Sequence, residues 1–308
     1  MNYDWLKVGM AATASALMAV AVHPSPLFAV LQLSLTSLPI FLIGLAYGAF
    51  LGVTTAASAF FSLVFSLGIE PAVYHAILTG IPTALMIWQI ERSGSHPMVL
   101  LFTLIAYACG MIALAGVYLS GSPNGMQGVI ANELQRIYEK ILLYANKDGQ
   151  LPITANELHD ILSALAGLFP AFSAAGWVMA TTVSAVLAQF ALRQFGKAIF
   201  STPDIADLRI PRWIIFIFLA VLTLAYLPHG VGFAAKNMVL VVLMIFLFTG
   251  LGVVHAFARC STNGRFWLSG AYTLLLIFNW VTAAIIVLIG ALDVIFDFRR
   301  HTRSPTQE

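Results

Sequence analysis

From Leu27 to Leu67 the chain runs for 41 consecutive positions without a charged side chain. One helix needs only about 20 residues to cross a hydrocarbon core, so this run is too long for one span and suits two. Gly44, Gly48 and Gly52 lie near its centre with Pro39 upstream, which places a tight turn at Ala46 to Ala49 between two helices. The same glycine spacing also fits one close-packed face of a single long helix. Length favours the hairpin.

The remaining sequence is of the same kind. With 60% hydrophobic and 9% charged residues, it lies far from the roughly 25% charged content of soluble domains, so a polytopic membrane protein is expected. A net charge of +2 is too small to argue for nucleic acid. Val8 to Val22 is an apolar run stopped by Pro24 and Pro26. Its Ala19-Val20-Ala21 also fits a signal-peptide cleavage site, although Asp4 weakens the basic start. Ala11, Ser15 and Ala19 lie on one helical line and Ala12 and Ala16 on the next, a small-residue pattern for close packing inside the bundle or for docking a partner subunit. A further helix starts at Glu70-Pro71, carries His75 and should kink at Pro82, followed by a span from Met98 to Leu119. Later spans are expected at Phe169 to Leu192, Trp213 to Leu227 and Met238 to Phe257. Phe266 to Phe298 is either one tilted helix or two short ones turning at Asn279.

Between these halves, Gly121 to Leu168 holds 8 of the 28 charged residues, five acidic and three basic. Ile130, Leu134, Ile137 and Ile141 recur at helical spacing, and Thr154-Ala155-Asn156-Glu157 is a capping box that opens a second amphipathic helix. Both are expected along the membrane surface or as a lid over a binding cavity. The domain reading is therefore an N-terminal membrane half of about five helices over 1–120, a polar segment over 121–168, a C-terminal membrane half over 169–298, and a basic tail over 299–308. With ten segments and a cytoplasmic N-terminus, eleven basic residues fall inside: Lys7, Arg92, Arg193, Lys197, Arg209, Arg212, Arg259, Arg265, Arg299, Arg300 and Arg303. Four basic residues remain outside. With nine segments the tally is eight against seven, so the positive-inside rule prefers ten, both termini cytoplasmic and the polar segment extracytoplasmic.

No His-Glu-x-x-His, P-loop or Gly-x-Ser-x-Gly occurs, so no enzyme, metal or cofactor is expected. Cys109 and Cys260 make no disulfide framework. The candidates for substrate binding are polar or aromatic groups at membrane depth: Gln32, His75, Trp177, Asn279 and Trp280, with Gln189, Asp293 and Asp297 as further isolated polar groups. His75 lies one turn past Glu70, which suggests a pair or a capped helix end. Ala12, Ala16, Gly44, Gly48 and Gly52 are the helix-packing or docking candidates.

Thr249-Gly250-Leu251-Gly252-Val253-Val254, followed by Gly290-Ala291-Leu292-Asp293-Val294-Ile295-Phe296-Asp297-Phe298-Arg299, resembles the end of the bacterial membrane-protein family DUF2232, or YybS-like. Leu38-Pro39-Ile40 through Gly44 and Gly48, then Gly80-Ile81-Pro82, resembles that family's order of Pro- and Gly-marked helices. Two departures are Ala46-Tyr47-Gly48, where a basic residue would be typical, and Thr249, where a glutamine would be. That family is itself similar to the substrate-binding S-components of energy-coupling-factor transporters. In those a six-helix bundle binds a vitamin or metal from outside, and Ala-x-x-x-Ala on the first helix docks the energising subunit. The resemblance implies that Ala12 and Ala16 are the docking pair. It transfers no vitamin-binding residue.

The expectation is thus an all-α polytopic transmembrane bundle of about eight to ten segments in the bacterial inner membrane. It would bind a small apolar or amphipathic solute from outside, in a cavity beneath Gly121 to Leu168, and work with energising ATPase or transmembrane partner subunits. The alternative is an envelope assembly or scaffold protein with no solute.

Overall fold

The computed structural model describes residues 3–20, 32, 35–94, 96–122, 125–145 and 155–299. Pro24 and Pro26, Ala21, Thr154 of the capping box and the tail beyond Arg299 lie outside the described residues. All regular structure among the described residues is helical: α1 Tyr3–Val20, α2 Leu38–Tyr47, α3 Ala49–Leu67, α4 Ile69–Ser93, α5 Pro97–Leu119, α6 Gly125–Ala145, α7 Ala155–Gln194, α8 Ile214–Leu224, α9 His229–Cys260 and α10 Gly264–Phe296. Among the described residues, six helices are long and apolar enough to cross a membrane, namely α3, α4, α5, α7 from Asp160, α9 and, taken over its whole length, α10. The chain is an all-α polytopic membrane protein.

It divides into two compact units, each assembled from separate stretches of chain. Unit 1 comprises Met1–Ile105, Gly176–Ile210 and Leu247–Glu308; unit 2 comprises Ala106–Ala175 and Pro211–Phe246.

In unit 1 the uncharged run does reverse where glycine allows it. Gly48 stands between α2 and α3 at φ 97°, a conformation that side chains with a Cβ rarely adopt. Gly44 and Gly52 then meet across the turn: a Cβ on Gly52 would lie 3.0 Å from the Gly44 Cα, and one on Gly44 would run into the side chain of Ile87. The glycines serve the hairpin and its packing on α4 together. At 10 residues, however, α2 rises only about 15 Å, and α8 with 11 is similar. Neither crosses a bilayer core alone.

α1 lies on α3. Ala12 and Ala16 are both buried, and Ala16 clusters with Leu63 of α3 and Ala72 of α4. Of the two roles the sequence left open for this small-residue line, Ala12 and Ala16 take that of helix packing inside unit 1.

In α4, Pro82 does not end the helix. A π-helical turn over Ala76–Gly80 precedes it, with the Ile81 N–H bonded to the Ala76 carbonyl five positions back. The wider turn makes room for the proline ring, which in a regular helix collides with the preceding turn.

α10 folds back on itself. Asn279 has φ 36° and ψ −103°, and the Thr282 hydroxyl donates to the Leu274 carbonyl at 3.0 Å. Eight residues of straight helix would separate those groups by about 12 Å, so the chain reverses at Asn279. Tyr272 on the first arm lies against His255 of α9, its Oη 3.0 Å from Nε2. The second arm returns to end beside Ala206 through Arg299. Of the two readings left open by the sequence, two short helices is the one formed.

In unit 2, α6 keeps Glu133 and Arg136 exposed and paired at 3.3 Å while Met126 is buried. The helix expected to open at the capping box is not a separate surface helix: α7 runs without a break from Ala155 through the sixth span. It contains Pro170, which cannot donate to the carbonyl of Ala166. Asn237 of α9 is fully buried beside that point and splices the ladder: its Oδ1 accepts the Ala171 N–H at 2.9 Å and its Nδ2 donates to the Gly167 carbonyl at 3.1 Å. An inserted side chain of this kind is a recognised source of helix bending.

Candidate functional site

One end of unit 1 gathers basic side chains, and six of them, Lys7, Arg92, Arg193, Arg209, Arg259 and Arg299, are each held by a neighbour. The Lys7 ammonium donates to the Tyr47 hydroxyl at 2.9 Å, which puts the start of α1 beside the α2–α3 turn. On the other side of that turn Glu91 accepts the Ala49 N–H at 2.5 Å, a carboxylate at a helix N-terminus, and Arg92 stacks on Trp88. Arg193 at the end of α7 donates to Thr202 at 3.0 Å. The segment that follows carries Asp204, paired with Arg259 of α9, and Arg209, paired with Asp297 at 2.9 Å. Arg299 is the deepest: it binds Asp293 at 2.6 Å and the Ala206 carbonyl at 3.0 Å with both charged side chains almost wholly buried. Gly252 of α9 leaves space for this segment and for Arg299, since a Cβ there would lie 2.6 Å from the Ile205 carbonyl oxygen and 3.2 Å from Nη1 of Arg299.

Asp293 and Asp297, isolated polar groups in the sequence, take separate partners: Asp293 is joined to Arg299, whereas Asp297 turns to Arg209, 88 positions away. Asp204 is the titratable group of interest outside the spans. Partial burial pushes its carboxyl up, but the Arg259 guanidinium and the Ala206 N–H outweigh that and hold it below its ordinary value.

At this same end a cavity of about 190 Å³ penetrates unit 1. Its walls are hydrocarbon for the most part, including Leu45, Met86, Ile90, Leu101, Val186 and Phe248. The segment 200–203 closes one side, and Gln189 and Thr202 supply polar atoms. Gln189 is buried; its Nε2 donates to the Phe200 carbonyl at 2.7 Å and lies 3.4 Å from the Thr202 hydroxyl. Its Oε1 is buried too and has no hydrogen-bond partner among the described residues.

None of the five residues expected to bind substrate lines this cavity. Gln32 donates to the Met18 carbonyl at 2.7 Å. His75 does not pair with Glu70, which is exposed; its Nε2 lies 3.0 Å from the Ser15 hydroxyl, and Ser15 in turn donates to the Thr36 carbonyl at 2.8 Å. Ser15 thus spends its proton on Thr36 and accepts one from Nε2. Trp177 donates from Nε1 to the Leu78 carbonyl at 2.7 Å. Asn279 forms the bend of α10, and Trp280 beside it is 77% exposed. These groups hold neighbouring helices together, form a bend or sit on the surface. Among the described residues, none of 121–168 lines it. Of the isolated polar groups singled out in the sequence, Gln189 alone lines it; the signal for the others, the loop 200–208, lay in a stretch with no pattern of its own.

Comparison with known proteins agrees with this architecture at the level of the family. No curated protein and no solved structure matches the chain, so the likeness to S-components finds no support there. A family model described as a predicted membrane protein matches residues 12–294, from the first helix to the second arm of α10. The chain belongs to the DUF2232 family of predicted membrane proteins.

Proposed function

We propose that this protein is a non-enzymatic component of the bacterial inner membrane that holds a small apolar or amphipathic solute in the cavity of unit 1. The observation that supports the reading is the cavity itself, about 190 Å³ of space walled by hydrocarbon. An engineered cavity of about 150 Å³ with such walls stays dry and takes up benzene, so this one suits a ligand rather than water. The orientation proposed is that of the positive-inside rule, with the basic end of unit 1 in the cytoplasm. The cavity then belongs to the cytoplasmic half, opposite to the loading side expected from the sequence. Ala12 and Ala16 pack inside unit 1, so no coupling through them is proposed.

The test is thermal unfolding of the purified protein against a panel of small apolar solutes, since a ligand that binds only the folded state raises its stability by mass action. A saturable rise that disappears in Ala185→Trp, which fills the cavity, supports the reading. No shift across the panel favours the assembly-factor alternative. Reporter fusions after Arg209 and Arg265 check the orientation, and an extracytoplasmic signal at either reverses it.

A further inference from the structure

The ligand's chemistry is written into Gln189. An amide has two ends, and here the donor end is committed: Nε2 serves the Phe200 carbonyl at 2.7 Å and the Thr202 hydroxyl at 3.4 Å, both on the segment that closes the cavity. That commitment fixes Oε1 as the other end, an acceptor in a residue only 5% exposed and without a donor among the described residues. Buried acceptors in folded proteins are nearly always satisfied, and the exceptions mark a role. A water is a poor candidate for the missing donor, because an ordered water needs two to four polar partners and this lining offers few. Thr182 lines the cavity too, but its hydroxyl is spent on the Val178 carbonyl at 2.8 Å. Thr202 already takes hydrogen bonds from Gln189 and Arg193.

We infer that the cavity selects a compact, mostly apolar molecule, on the order of ten non-hydrogen atoms by comparison with benzene in a slightly smaller cavity, that carries one N–H or O–H donor for Gln189 Oε1. This rests on the solute-binding reading above and adds to it the polarity of the ligand: a donor is accepted, an acceptor-only analogue of the same shape is not. Such selection has physical force because a site built to hydrogen-bond one group discriminates against the analogue that lacks it.

Indole and benzofuran test it, being alike in size and shape but differing in that only indole donates. Binding of each to the full chain in lipid nanodiscs is measured by titration against the thermal unfolding midpoint. The expected result is a preference for indole of about fivefold to tenfold, the worth of one net hydrogen bond. In Gln189→Leu the preference should fall to unity while both probes still bind. Equal affinity of the two probes for the wild-type protein overturns the donor assignment and leaves the solute-binding reading standing; this comparison needs no variant to fold. Failure of both probes to bind saturably, or binding unchanged by Ala185→Trp, overturns both, and points to a lipid acyl chain as the occupant.

Discussion

The indole N–H of Trp177 on α7 donates to the carbonyl of Leu78 on α4 at 2.7 Å. Leu78 stands four positions before Pro82, so its carbonyl is the one that a proline cannot serve. In hydrocarbon an unserved carbonyl has no water to turn to. The tryptophan therefore completes a foreign helix, and the bond ties α7 to α4 inside unit 1.

A double-mutant cycle isolates that role. Trp177→Phe keeps an aromatic ring but removes the donor, whose loss should destabilise by about 1–2 kcal/mol on top of the lost packing of the larger indole, a packing loss common to both backgrounds. In a Pro82→Ala background the new backbone N–H can reach the Leu78 carbonyl, and the same tryptophan change should cost about 1 kcal/mol less. Unfolding of the four proteins in mixed micelles gives the coupling. If Trp177→Phe costs the same in both backgrounds, the carbonyl is not what Trp177 is there to serve.

Asn237 plays the matching part in unit 2, at Pro170. It makes both halves of the exchange, accepting from Ala171 and donating to Gly167, so one substitution exposes two backbone groups at once. Asn237→Leu, of similar size, should cost about 2–4 kcal/mol, more than a single lost bond. Hydrogen exchange localises the effect: the amides around Ala171 should lose protection while those of α3 in unit 1 keep theirs. Equal loss in both places would count against a local splice.

These two side chains show how far the sequence could be read. The apolar runs, the turn at Gly48 and the break at Asn279 were legible because each is local: a length, a glycine that permits a positive φ, a polar residue inside a run. Trp177 was visible only as a membrane tryptophan, for which interfacial anchoring is an equal explanation, and Asn237 was passed over at the start of an apolar run. Their partners lie 99 and 66 positions away, and no spacing rule joins them. The clue that was available is that Pro82 and Pro170 each leave a carbonyl to be served. The same limit explains Ala12 and Ala16: small residues say that something packs closely, but only the fold says that α3 is what packs. It explains the cavity as well, whose polar wall depends on a loop between spans.

Acid should loosen the basic end of unit 1 through Asp204. Its folded carboxyl lies below the ordinary value, so the unfolded chain takes up a proton first as pH falls. Its contribution is complete above the ordinary carboxylate range, shrinks as pH falls through about 4, and is gone below the depressed folded value. Asp204→Asn should be less stable than the wild type near neutral pH, and the gap should close as pH drops below about 4. Unfolding midpoints measured from about pH 7 to 3 check this, and a gap that stays constant across that range would show that the charge on Asp204 is not the source.

The buried pair of Arg299 and Asp293 gives the sharpest contrast between charge and packing. Taking either partner away leaves the other charged and enclosed, which in proteins costs about 3–5 kcal/mol. Arg299→Met and Asp293→Leu should each fall in that range. The double variant removes both charges and keeps the volume filled, so it should recover most of the loss. Recovery should not be complete, because Arg299 also donates to the Ala206 carbonyl at 3.0 Å, worth about 1 kcal/mol. That bond, lost in the double variant, fastens the chain just past α10 to the loop that lines the cavity through Ile205 and Leu208, so the double variant should also bind indole more weakly than the wild type, although neither residue lines the cavity. Additive single costs would mean that the two side chains act separately; a double variant with full stability and unchanged indole affinity would mean that the Ala206 bond holds nothing in place.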